Sequence, residues 1–518
     1  MSRSDRAAKG FVAALVQYAS QIAVQVLLAP LVLKMAGRET LGAYAAIMQA
    51  VGLLGLVNFS SSWVLDRYLA QATGLEDSGE RFRNVFITAR TVLLATNIIF
   101  AILLVIGSQF IGRIFHLTPM IAAEARYALY VIAVWAILST VFAAYGNASL
   151  ATQDIAAFNI IGTGLNVARS VVSLLYVLAG GGLFGLMLAG TSVDVAGGFL
   201  YRRRFLKMNP GFRAGWGIPD KALLREILRF GGYSTFMNIG NRLFVSSTNL
   251  VAGITTGAIG ASAFYSSQMP ATTAYNMLYR LTESATPAVH ELYGKREMQK
   301  LSATFVRLLR LMLMMTFPLA VGVILFDKDV VTCWVGAPLY AGALMSNALG
   351  LYISLSAIQG IVIVFCFAIG WVRLLAASSF LVGITNFGLG LLLGHLLGLG
   401  GIMLSLVLVM IPQVLVLLSR LDRTLEVNTL AVVGKLFLRS IIPLGLASLS
   451  ALFVHSKVVI AKHHFSGLLL ECLTFVILYS PVTYLLVMNH QDQADFQRYL
   501  SKAVFGARRL IGWPFRSS

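Results

Sequence analysis

Fourteen apolar runs of about 20 residues each, parted by polar breaks, dominate this chain of 518 residues, and about 20 such residues are what one helix needs to cross a bilayer. Lipid offers backbone amides no partner, so continuous runs of this length become helices. The runs fall at 11–35, 41–65, 85–106, 125–150, 155–178, 183–201, 230–253, 258–282, 305–326, 344–369, 374–396, 400–418, 436–454 and 468–488. Twelve crossings follow instead if one pair is re-entrant. Composition closes off a soluble alternative. Only 12% of residues are charged, about half the share in soluble domains. The expected class is therefore an all-α integral membrane protein with about 14 transmembrane helices.

The longest polar interval carries Arg202, Arg203, Arg204, Lys207, Arg213, Lys221, Arg225 and Arg229. Basic clusters prefer the cytoplasmic side, so this one orients the spans before and after it. With the N-terminus inside, roughly 30 of the 40 Lys and Arg fall on inside connections or tails, as the positive-inside rule requires. Both termini are then cytoplasmic. The net charge of +19 does not suggest nucleic acid, because the basic residues lie between apolar runs rather than in a stripe with stacking aromatics. Anionic phospholipid headgroups are the expected partners. Outer connections such as 179–182 and 255–257 are short and Gly-rich, which makes tight helical hairpins and leaves no room for an outer domain.

Charges inside the runs are the candidate functional residues, since a mid-helix Arg or Asp costs about 2.5–3.5 kcal/mol on insertion scales. Arg169, Asp194 and Arg242 lie near the middle of runs five, six and seven; Arg280 and Glu283 lie in the inner third of run eight. Arg169 and Asp194 read either as a neutral pair between adjacent spans or as cavity residues. Arg280 and Glu283, at i,i+3, can meet on one helix face. For Arg242 the sequence offers no obvious acidic mate in its own or the neighbouring run, which suits a passing anion. Arg67, at the inner end of run two, reads as a headgroup contact or a guard at a cavity mouth. Gln17, Gln21 and Gln25 share one face at i,i+4. With Gln268 they read as helix–helix hydrogen bonding or as a sugar-accepting lining. Pro30 and Pro270 are the better hinge candidates among the prolines within runs.

Other chemistry is not expected. Gly434-Lys435 lacks the rest of a P-loop. His463-His464 has no carboxylate or cysteine company for a metal, and Cys333, Cys366 and Cys472 follow no metal or redox spacing. There is no Gly-x-Ser-x-Gly elbow. Neither a cofactor nor a catalytic constellation is anticipated.

Two short motifs carry a resemblance. Gly37-Arg38-Glu39-Thr40-Leu41-Gly42-Ala43-Tyr44 leads through Val57-Asn58-Phe59-Ser60 to Arg67, and Gly260 to Tyr265 opens run eight, which leads on to Thr286-Pro287-Ala288 and Lys295. The chain thereby resembles the polysaccharide-transport branch of the multidrug/oligosaccharidyl-lipid/polysaccharide exporter superfamily, the flippases of O-antigen and exopolysaccharide export. It departs from the usual pattern at Asn58-Phe59-Ser60-Ser61-Ser62 and at Ser247-Thr248-Asn249, where acidic residues are common. Asp194 and Glu283 are the substitutes for ion coupling.

The resemblance implies two six-helix lobes in parallel repeat, at 1–201 and 230–420, around a basic cytoplasmic loop at 202–229. Two appended helices would occupy 421–488, and a basic cytoplasmic tail 489–518. It implies a bacterial inner-membrane transporter, not an enzyme, that turns an undecaprenyl-pyrophosphate-linked oligosaccharide from the inner to the outer leaflet by alternating access. Arg242, Arg169, Arg67 and Arg280 would take the pyrophosphate, because guanidinium forks match phosphate oxygens. A polysaccharide polymerase or glycosyltransferases are candidate partners, and the transporter is expected to work as a monomer. The rival readings are a lipid II flippase, a drug/cation antiporter of the same superfamily, and a membrane enzyme acting on lipid-linked sugars.

Overall fold

The computed structural model describes residues 3–55, 68–69, 72, 79–152, 154–212, 217–226, 240, 242–244, 247–457, 465–488 and 493, with side chains of the first helix from Val26 onward. Among these residues there is no strand. Twelve long helices follow one another: α1 (Arg3–Leu54), α2 (Glu80–Ile114), α3 (Pro119–Ala151), α4 (Ile155–Leu178), α5 (Gly182–Met208), α6 (Thr248–Gly294), α7 (Met298–Val335), α8 (Ala343–Ile369), α9 (Val372–Leu397), α10 (Leu399–Leu425), α11 (Thr429–Lys457) and α12 (Phe465–Leu486). Eleven helices among the described residues are long and apolar enough to cross a membrane. The chain is an all-α, multi-pass membrane protein. The inner end of run two and most of run seven lie outside the described residues.

Two of the twelve helices are double. Gly37 (φ 86°) interrupts α1 and Gly257 (φ 72°) interrupts α6, each with non-helical backbone. Both angles lie in the left-handed region that glycine enters without strain. These are the connections between runs one and two and between runs seven and eight. Several helices also outrun their apolar stretch. α5 continues to Met208, so Arg202-Arg203-Arg204 and Lys207 sit on helix rather than loop. The following residues 221–226 are helical and pack back on α2 through Leu223 and Leu224. Thr88 Oγ1 accepts the Asp220 N–H at 3.1 Å, and the Tyr68 hydroxyl donates to Glu226 at 2.9 Å.

Packing divides the chain into two compact units. The first comprises Met1–Thr273, Trp334–Tyr352 and Gly370–Gln413; the second comprises Ala274–Cys333, Ile353–Ile369 and Val414–Ser518. In the first unit a ring cluster joins α2, α3 and α5: Phe82, Phe86 and Phe205 all meet Phe212, with centroids 5.2–5.6 Å apart, and Tyr145 of α3 meets Phe86 at 5.1 Å. Such pairs add about 0.5–1.5 kcal/mol each beyond buried area. In the second unit Phe305 meets Phe365 at 5.0 Å, and the Tyr479 hydroxyl donates to the Met314 carbonyl at 2.7 Å. Leu438, Leu449, Phe453 and Leu485 on α11 and α12 are exposed. In a bilayer such side chains face lipid at no cost.

Candidate functional site

The α4–α5 hairpin carries polar contacts at three levels, two within it and one from Glu124 of α3. At one end Arg204 donates to Asp154 from Nε and Nη2 at 2.7 and 3.1 Å. At the other, the Glu124 carboxylate accepts the N–H groups of Leu183 and Phe184 at 2.8 and 3.2 Å, which caps the start of α5. A carboxylate there also suits the positive end of the helix dipole. Between these ties, near mid-helix, Arg169 of α4 pairs with Asp194 of α5. Of the two readings left open by the sequence, the pairing is observed. Yet the pair is not sealed, since the two side chains remain 45% and 56% exposed.

Two tyrosines complete this cluster. Tyr44 of α1 lies within electrostatic reach of Arg169, and Tyr265 of α6 within reach of Tyr44. Both pack on the core formed by Ala29, Val32, Leu41, Val177 and Leu186. They are the tyrosines that end the two motifs quoted above, and the way α1 approaches α6 explains their meeting. A Cβ on Gly42 would fall 1.6 Å from the Ala258 carbonyl oxygen, so the two backbones cross in contact. The Gln49 side-chain oxygen then accepts the N–H groups of Asn249 and Leu250 at 2.8 and 3.1 Å, capping α6. Trp334 reaches back to the Val26 carbonyl at 2.8 Å.

The other sequence candidates fall elsewhere. Arg280 Nη1 donates to Glu283 Oε2 at 2.6 Å along one face of α6, in the second unit. Arg242 is half-buried on the helical stretch 242–244 and already takes part in an interaction. Its segment is seated on α9, where Gly240 and Gly383 meet backbone to backbone. Gln268 is half-buried, and the Thr248 hydroxyl donates to its Oε1 at 3.5 Å. Gln17, Gln21 and Gln25 lie on α1, but their side chains are outside the described residues, as is Arg67 altogether.

Sequence reasoning did not single out Arg90, which is almost fully buried on α2 with its guanidinium 5.8 Å from the Phe86 ring. Its position inside run three was the available signal. Nor did it find Tyr44 with Tyr265 as partners. In the second unit a cavity of about 780 Å3 opens among Leu278, Met314, Pro318, Phe475, Tyr479 and Tyr484. No charged side chain lines it, so it is no seat for an anionic headgroup.

Long apolar helices with an ion pair near mid-helix define a multi-pass membrane protein. Comparisons with known proteins sharpen this. The family model described as "Polysaccharide biosynthesis protein" matches residues 35–338, more than half of the chain, and the chain belongs to that family. No curated protein matches the sequence. Among solved structures, the inward closed conformation of the lipid II flippase MurJ is similar with a TM-score of 0.67 and 16% identity, covering 91% of this chain and 98% of that one. An inward-facing multidrug resistance MATE family transporter gives 0.64 and 15%, covering 78% and 96%. A transporter of Pyrococcus furiosus gives 0.55 and 16%, covering 80% and 95%. The fold is that of the multidrug/oligosaccharidyl-lipid/polysaccharide superfamily.

Proposed function

We propose that this protein is a flippase of the bacterial inner membrane that carries an undecaprenyl-pyrophosphate-linked oligosaccharide to the outer leaflet for surface polysaccharide export. The observation that carries the reading is the half-open Arg169–Asp194 pair. Charge facing hydrocarbon is costly, so the open side of such a pair belongs to a wet cavity. A sugar headgroup needs that water, and a pyrophosphate needs the cation. The lipid tail stays in the bilayer.

The pairing also suggests how transport is coupled. A pyrophosphate that takes Arg169 competes with Asp194 for the same guanidinium. The released carboxylate then accepts a proton or another cation, and loses it when the substrate departs and the pair re-forms. Binding of substrate and cation are thereby linked, as coupling requires each to favour the same state. Tyr44 and Tyr265 pack on the core beside this site. Arg242 and Arg67 remain further candidates for the pyrophosphate and the four glutamines for the sugar; Arg280 and Glu283, paired with each other along one helix, are assigned neither role. The two-lobe division at 201 and 230, the cytoplasmic termini, the monomeric state and the link to glycosyltransferases or a polymerase belong to the same proposal.

A lipid II substrate is the second reading, favoured by the fold shared with MurJ; the polysaccharide family favours the first. Cells lacking the protein test both. The expected result is accumulation of the polysaccharide's lipid-linked precursor on the inner leaflet, with normal cell-wall synthesis. Cell lysis with an arrested wall and unchanged surface glycan would transfer the assignment to lipid II.

A further inference from the structure

Three side chains that the transport reading does not use come together in the second unit. Asp329 lies near the end of α7, His455 near the end of α11, and Glu471 in the second turn of α12. One ligand atom from each lies within 4.8 Å of the others. His455 Nδ1 stands 2.9 Å from Glu471 Oε1. We propose that these residues bind a divalent transition cation, with Zn2+ the best match.

The second observation is the state of Glu471. Its side chain is 1% exposed, and its Oε2 is buried without a hydrogen-bond partner among the described residues. Burying one carboxylate oxygen unsatisfied is expensive, and a positive guest removes the cost. With a neutral imidazole, two carboxylates leave the trio at a charge of −2, which a divalent ion cancels. Asp329 and His455 are only half-buried, so an ion has a way in.

The donor set selects the metal. Ca2+ takes about 6–8 oxygens and Mg2+ keeps an octahedral, water-rich shell, and neither favours an imidazole. Imidazole nitrogen and carboxylate oxygen are both Zn2+ donors, and three protein ligands with an open fourth position suit a tetrahedral ion. Ligands about 2.0–2.2 Å from a tetrahedral ion stand about 3.3–3.6 Å apart. His455 and Glu471 are already near that spacing, and a turn of the Asp329 side chain closes the rest. A bound ion ties the ends of three helices together.

The test uses the purified full-length protein in detergent, stripped by a chelator and then titrated. Wild type is expected to bind one Zn2+ per chain saturably and to unfold at a higher temperature with the ion present. Glu471→Gln and His455→Asn are expected to weaken binding by about 10-fold or more. Titration of wild type with Co2+ needs no variant, and should give the intense visible bands of a four-coordinate ion. No saturable Zn2+ binding by wild type, a featureless Co2+ spectrum, or equal affinity in both variants would each overturn the assignment.

Discussion

Two Arg–carboxylate pairs look alike in isolation and differ in depth. Arg169–Asp194 and Arg280–Glu283 are both about half exposed. The first joins two helices; the second lies within one helix at i,i+3. Counted from the end of α4 at Leu178, Arg169 is nine residues in, about 14 Å at 1.5 Å per residue. Asp194 is twelve residues beyond Gly182, about 18 Å. Both distances fall near the middle of a hydrocarbon core about 30 Å thick. Arg280 lies twenty-three residues beyond the Gly257 kink, about 34 Å, which carries it past that core. On the proposed function, depth rather than the presence of charge separates the transport site from a surface pair.

The largest expected effect is on transport by Arg169→Ala. Removing the guanidinium takes away the cation that the pyrophosphate would meet, and hydrogen bonds to a charged group contribute about 1.5–3 kcal/mol, so substrate export should fall by about 10-fold or more. Arg280→Ala should change it by less than about twofold. Surface-glycan quantification at matched protein level compares them directly, and similar losses for both would break the distinction drawn from depth. The exchanged pair Arg169→Asp with Asp194→Arg sharpens it further. Protein level and melting temperature should recover relative to the single variants while export stays low; full recovery of export would make the pair a mere helix tie.

Smaller effects concern how the deep site is assembled. Gly42→Leu forces a side chain into the Ala258 backbone, and overpacking of this kind costs about 1–3 kcal/mol. Thermal unfolding in detergent should shift down accordingly, with export lost because Tyr44 and Tyr265 are pushed apart. The smallest effect is Glu283→Gln. An exposed i,i+3 pair contributes about 0.2–0.5 kcal/mol, so the melting temperature should hardly move, and less so in high salt.

The helices were legible because lipid imposes a length and a polarity on every crossing. Run five, expected at 155–178, is α4 residue for residue, whereas α5 outruns its apolar stretch because Arg202 to Lys207 form helix as readily in headgroups as leucine does in lipid. Arg169 and Asp194 were legible as charges where none should be, but their pairing was one of two readings until helix rotation was known. Tyr44 and Tyr265 stand 221 positions apart, and only the crossing at Gly42 brings them together. The trio of Asp329, His455 and Glu471 was invisible for the same reason. Adjacent histidines such as His463-His464 show in a sequence, while ligands from three helix ends leave no spacing to read.

Transbilayer movement in proteoliposomes tests the central claim most directly. Purified wild type, Arg169→Ala and Arg280→Ala would each be reconstituted with a fluorescent undecaprenyl-pyrophosphate-linked oligosaccharide, and the probe's arrival in the outer leaflet followed with an impermeant quencher. Wild type and Arg280→Ala should move the probe at similar rates, with Arg169→Ala close to protein-free vesicles. Movement by Arg169→Ala at the wild-type rate would contradict the account.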